Sequence, residues 1–194
     1  DLEYIARIRA AEASVVLDHT RPNGTRCFTL KSPNGIRSYG EVLAWNNTRK
    51  FLPGIEQWYG EKEDWVDQND NAVTGHYTQM IDPDNLYAGY ATFINPDARY
   101  STTTSGEYNK YDNNLDESFG PDISNCTQTI EAQTSDITVG MSDFEELQAP
   151  NSVQADFYAN ITNSSCNLSV LDNNVSWKSS NTSVATVDAK GLVT

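Results

Sequence analysis

Gly75-His76-Tyr77-Thr78-Gln79-Met80 is the stretch around which this chain is read. It holds one of the two histidines in 194 residues and lies between a Trp-rich segment and a β-prone one. Histidine is the side chain that most readily binds metal or moves protons near neutral pH, so a His led by Gly and followed by aromatic and hydroxyl groups marks a candidate site. The plain alternative is a hydrogen-bonded His in a Tyr/Thr-rich turn.

Upstream of this stretch, Ile55, Trp58, Tyr59, Lys62 and Trp65 recur at steps of three and four behind Pro53, which predicts one helix with an aromatic face. Glu61 shares that face, and a carboxylate set against rings needs a partner. The Asn-rich acidic run 67–71 reads as a surface loop leading into Gly75. Downstream, after an Asp-Pro-Asp-Asn turn, Tyr87–Phe93 reads as a central strand. Residues 95–120 read as polar and turn-rich, and 124–131 as a strand that closes a first domain.

At the N-terminus, Leu2, Ile5, Ala6, Ala10, Ala13, Val16 and Leu17 place one apolar stripe on a helix over 2–17, with Arg7, Arg9 and Glu12 on other faces. The helix stops before Arg21-Pro22-Asn23-Gly24, which leaves His19 at its C-terminus, where the helix dipole favours imidazolium. Cys27–Leu30 reads as a short extended piece within a loop. Tyr39-Gly40-Glu41 opens an apolar run, and Glu41 is either a rim residue or an inward ligand.

A net charge of −14 excludes the basic stripe that a nucleic-acid partner requires. No apolar run is long enough to span a bilayer, and the Asn/Asp/Ser/Thr-rich composition suits an extracellular domain whose leader is not part of the sequence. Asn-x-Ser/Thr sequons such as Asn160 and Asn167 carry information only in a glycosylating host. The three cysteines lack zinc-site spacing. A bond between Cys27 and Cys126 is expected, since one follows a turn-rich loop and the other closes the same domain; both free and buried is the alternative. Cys166 is then left over. From residue 132 the chain turns to short strand-like runs, at 137–139, 153–158, 168–171, 175–178 and 184–187, parted by Asn/Ser turns.

In order, His19-Thr20-Arg21-Pro22-Asn23-Gly24, Tyr39-Gly40-Glu41, Trp58-Tyr59-Gly60-Glu61 and Gly75-His76-Tyr77-Thr78-Gln79 resemble the elements of the CAP superfamily, the cysteine-rich secretory, antigen 5 and pathogenesis-related (SCP-like) group. The resemblance covers residues 1–131 and implies an α+β fold, an α-β-α sandwich whose cleft is lined by His19, Glu41, Glu61 and His76, with Tyr77 placed to donate into it or to pack beneath it. It departs from the family pattern at Val42 and at Met80-Ile81-Asp82. Residues 132–194 carry Trp177-Lys178-Ser179-Ser180-Asn181, then Val184-Ala185-Thr186-Val187 and Gly191-Leu192-Val193, and so resemble a bacterial Ig-like domain of group 2, a partial all-β sandwich expected to continue beyond residue 194.

Two functions are implied. One is a non-enzymatic, secreted or cell-surface bacterial binding module for a lipid, glycan or protein, with His19 and His76 holding zinc or another divalent metal together with Glu41 or Glu61. The other is a metal-dependent hydrolase in which one Glu acts as base on a bound water.

Overall fold

The computed structural model describes residues 1–111, 115–116, 118, 129–141, 147–148, 150–161, 167–168 and 175–194. The fold is α+β. The chain divides into two compact units, the first over Asp1–Gln133 and the second formed by the described residues from Thr134 onward.

The first unit is built on an antiparallel sheet of β1 (Gly40–Asn46), β2 (Tyr87–Ile94) and β3 (Thr102–Asn109), in the order β1-β3-β2. Helix α1 (Leu2–Val15) covers one face, while α2 (Leu52–Tyr59) and α4 (Gly75–Ile81) approach the other, with α3 (Lys62–Val66) between them in sequence. Period-two alternation divides β1 between these layers. Glu41 and Trp45 reach α1 through Arg9 and the Ala13 carbonyl, while Val42 and Ala44 join Trp58 and Tyr108 in the core on the opposite face. The α1 layer has its own cluster of Leu2, Ile5 and Ile36. Gly89 lets α1 come this close, because a Cβ there would stand 2.3 Å from the Glu3 nitrogen and 2.4 Å from the Leu2 carbonyl carbon.

Strand β1 lies at the edge of the sheet, where unpaired carbonyls invite pairing with another chain. Side chains of α2 cover it. The Trp58 indole donates to the Leu43 carbonyl at 3.0 Å, and the Gln57 amide donates to the Trp45 carbonyl at 3.2 Å.

Several expectations change. The single helix expected from Pro53 to Trp65 is two, broken at Gly60-Glu61, where ψ rises to −19° and −6°. The strand expected in the centre, β2, is an edge, and the centre is β3, whose eight residues are all buried. Its sequence, Thr-Thr-Thr-Ser-Gly-Glu-Tyr-Asn, lies inside a stretch that reads as loop because hydroxyl groups stand where apolar residues are looked for. Cys27–Thr29 forms a 3₁₀ turn rather than an extended piece. Cys27 is a buried free thiol, so the expected bond to Cys126 is not made; its sulfur lies beside His19 and Glu41 instead. Cys126 and Cys166 fall outside the described residues, as does most of the strand expected at 124–131. Arg9 and Glu12, expected away from the core, are both 0% exposed.

In the second unit, β4 (Ile137–Met141), β6 (Phe157–Ile161) and β7 (Asn167–Leu168) form one antiparallel sheet in the order β4-β6-β7, and β5 (Val153–Gln154) pairs with β8 (Leu192–Val193). Residues 175–178 form no strand, and the 184–187 run contributes only a bridge from Val187 to Val193. Gly191 holds φ +86° with the Trp177 indole 2.8 Å from where its Cβ would lie, so a side chain at 191 meets both backbone strain and a clash.

Candidate functional site

Each histidine is fixed by a carboxylate, and each pair arises from a turn next to an element end. Helix α1 gives way to extended backbone at Val16, and the turn that follows closes with a bridge between Thr20 and Arg26. His19 sits on this turn, its side chain 53% exposed, with Nδ1 2.7 Å from Glu41 Oε1. Glu41, at the start of β1, is gripped from the other side by Arg9, whose Nε donates to Oε2 at 2.6 Å and Nη2 to Oε1 at 3.2 Å. The same guanidinium donates to Glu12 at 2.7 Å and to the Asp18 and His19 carbonyls at 3.3 Å, and Arg21 closes the network on Glu12 at 2.7 Å.

The second pair is made by the break between α2 and α3. Because the helix ends at Gly60, Glu61 is freed from the aromatic face and reaches α4. Its Oε2 accepts the backbone N–H groups of His76 and Tyr77 at 3.0 and 3.1 Å, and Oε1 lies 2.5 Å from His76 Nδ1. One carboxylate thus satisfies unpaired N–H groups in the first turn of α4 and orients the imidazole. Tyr77 is buried below, its ring packed edge-on against Tyr59 and Trp65 at 5.9 and 5.7 Å. Tyr77 is therefore a packing residue that holds His76 in place.

Both pairs use Nδ1, so when the rings are neutral with Nδ1–H donating to carboxylate, the Nε2 atoms carry the lone pairs. The pairs are brought to the same end of β1 but are not merged. Gln79 of α4 lies against Gly40, the neighbour of Glu41, its Oε1 2.3 Å from where a Cβ would be. Among the described residues, the set of three potential ligand groups whose atoms lie within 4.8 Å of one another is His19, Cys27 and Glu41, and neither Glu61 nor His76 belongs to it.

The electrostatics follow from burial and pairing. The hydrogen bond to Glu41 raises the His19 pKa above its usual value against the cost of burial. Burial pushes Glu41 upward, but hydrogen bonds from His19 and Arg9 and the charge of Arg9 outweigh it, and the carboxylate is held below its ordinary range. Burial pushes the Cys27 thiol up to about 12, with Glu41 adding to it.

A family model described as the cysteine-rich secretory protein family, CAP, matches residues 1–111, more than half of the 194. The chain belongs to this family. A second model, the intimin immunoglobulin-like domain, matches residues 172–194, within the tail that resembles a bacterial Ig-like domain. No curated protein and no solved structure gives a significant match.

The CAP unit contains site residues that sequence reasoning missed. Glu107 lies directly across from Glu41 in the β1–β3 register and is 0% exposed, with Ser105 donating to its Oε1 at 2.8 Å. Burial, then the neighbouring Glu41 charge, lifts its pKa well above the carboxylate range. The run of three β-branched threonines was the available signal that residues 102–109 form a strand.

A consequence can be measured. The folded chain keeps the Glu107 proton after the unfolded chain has released its own, so stability falls as pH rises above the ordinary carboxylate range toward the raised value. Glutamine has the same shape and no proton to lose. The Tm of Glu107→Gln is expected to exceed that of the wild type at neutral pH, by roughly 2–4 °C per kcal/mol recovered, with the gap closing toward about pH 4. A gap independent of pH, checked by thermal melts across that range, contradicts the assignment.

Proposed function

We propose that this protein is a secreted or cell-surface bacterial binding module, not an enzyme, whose CAP cleft takes a divalent ion of zinc type on His19 and His76 while presenting a surface to an extracellular lipid, glycan or protein. The observation that carries this is the shared pairing of Nδ1 with a carboxylate, which leaves both Nε2 atoms without a hydrogen-bond partner among the described residues, on imidazoles 53% and 28% exposed. Metal-binding histidines characteristically have the second ring nitrogen held in this way, which fixes the tautomer and raises ligand basicity. On this reading Glu41 and Glu61 orient the ligands, and the bound ion would supply Lewis acidity and a fixed positive charge.

The same geometry favours binding over hydrolysis. Three hydrogen bonds engage each carboxylate, Glu41 by Arg9 and His19, Glu61 by the His76 ring and two backbone N–H groups, so each serves first to orient its imidazole. Beside His76, the end of α2 exposes Tyr59 and α3 exposes Trp65, amphipathic rings suited to an organic ligand. The Ig-like match in the tail supports a spacer role for the second unit in a surface protein.

Calorimetry with zinc tests the metal half. Zinc is expected to bind the wild type weakly; His19→Ala should remove the heat and His76→Ala reduce it, in both cases without unfolding the chain. A ligand imidazole must be neutral, and Glu41 raises the His19 pKa, so affinity should fall between about pH 8 and about pH 6. Equal affinity in all three proteins would place the ion elsewhere.

A further inference from the structure

Cys27 has no place in the reading above, yet among the described residues it is the third member of a close set of potential ligands. A ring nitrogen of His19, the Cys27 sulfur and a Glu41 oxygen lie within 4.8 Å of one another. Ions bound tetrahedrally at ordinary Zn–N, Zn–O and Zn–S lengths hold such atoms roughly 3.3–3.6 Å apart, so small side-chain rotations bring three donors onto one cation. The three arrive from separate elements, the turn after α1, the 3₁₀ turn and the start of β1, so their convergence is not a product of sequence adjacency.

The burial of the three donors leaves a place for a cation at the opening. Cys27 is 5% exposed and Glu41 8%, so two donors are supplied from inside, while the half-exposed His19 stands at the opening and leaves one side of the set toward solvent. A three-donor site with one open position is the pattern of exchangeable zinc. A second feature points the same way. Glu107 Oε2, in a residue 0% exposed, has no hydrogen-bond partner among the described residues, and Glu107 lies directly across from Glu41 in the strand register. A further carboxyl group thus stands beside the cluster, and Arg9, which already holds Glu41, fixes that ligand's orientation.

We infer that His19, Cys27 and Glu41 form a site for a thiophilic divalent cation of zinc type, completed by a solvent molecule. The site goes beyond the paired-imidazole reading and does not require His76. On binding, the cation displaces the thiol proton to solvent and a metal–sulfur bond forms, with no change of oxidation state. The softness of sulfur selects zinc or cobalt over magnesium or calcium.

Cobalt(II) titration of the wild type, Cys27→Ser, Cys27→Ala and His76→Ala, followed by absorption spectroscopy, decides the matter, with circular dichroism confirming that each variant is folded. The expected result is a near-ultraviolet thiolate-to-cobalt charge-transfer band in the wild type that persists in His76→Ala and disappears in both Cys27 variants. Affinity in those variants should drop by more than the roughly 10–100-fold that loss of an outer-shell partner costs. Cobalt bound without that band, and released by His76→Ala, would overturn this site while leaving the paired-imidazole reading intact. A band that survives in the folded Cys27 variants would overturn it too, by placing the thiolate at another cysteine. If a serine or alanine at 27 does not fold, the wild type and His76→Ala are compared with His19→Ala, in which the band must be lost for the assignment to stand.

Discussion

Arg9→Met is expected to destabilise the CAP unit by about 3–5 kcal/mol, the usual cost of removing one partner from a buried ion pair. In a chain of this length that lowers Tm by roughly 10 °C. The guanidinium is fully buried and serves two fully buried carboxylates, Glu41 and Glu12, as well as two carbonyls at the end of α1. Methionine fills much of the same volume, so the loss reports charge and hydrogen bonding rather than a cavity. Adding Glu41→Gln to Arg9→Met should recover part of it, because the orphaned charge then disappears, and the double-mutant cycle should show coupling of about 0.5–3 kcal/mol. Denaturant melts read both numbers. A single-mutant loss below about 1 kcal/mol would mean that Glu41 is neutral or solvated, contrary to the geometry.

Trp58→Ala carries the second large effect, a loss of about 3–5 kcal/mol. The indole is 1% exposed, packs with Val42, Ala44 and Tyr108, and donates to the Leu43 carbonyl on the open edge of the sheet. Trp58→Phe separates the two contributions. It keeps most of the apolar contact and loses the hydrogen bond, so it should cost about 1–3 kcal/mol. The alanine variant also uncovers the β1 edge and should associate at concentrations where the phenylalanine variant stays monomeric, a difference readable by light scattering. Equal stability of the two variants would show that packing of the larger ring contributes little.

The order in which features became legible follows from chemistry. Helix α1 was readable because its alanines and aliphatic residues repeat at three and four. His19, Glu41, Glu61 and His76 were readable only as parts of short motifs, since nothing in their neighbours' polarity says that each carboxylate meets an imidazole. Arg9 and Glu12 could not be read as buried, because a charge enters a core only when its partners do, and the partners of Arg9 are 3 and 32 positions away. Strand β3 was missed for the converse reason. Thr102 and Thr104 satisfy a buried site by hydrogen bonding, Thr102 by accepting from the Arg49 N–H at 2.7 Å and Thr104 with Thr92 at 2.8 Å, and so carry no hydrophobic alternation. With β3 went Glu107, and with Glu107 the second carboxylate of the buried cluster. The break at Gly60-Glu61 is a change of roughly 20–35° in ψ from the helical value, yet it converts Glu61 from a residue on a helix face into the group that caps α4 and orients His76.

The account rests on two imidazoles held through Nδ1 and offered through Nε2. Because the chain contains two histidines, a long-range proton–nitrogen NMR spectrum of the rings displays only these two systems. At a pH where both are neutral, both should show a protonated Nδ1 and a bare Nε2, and added zinc should move both Nε2 resonances while the Nδ1 protons remain. Protonated Nε2 atoms in the free protein, or ring signals unmoved at saturating zinc, would contradict it.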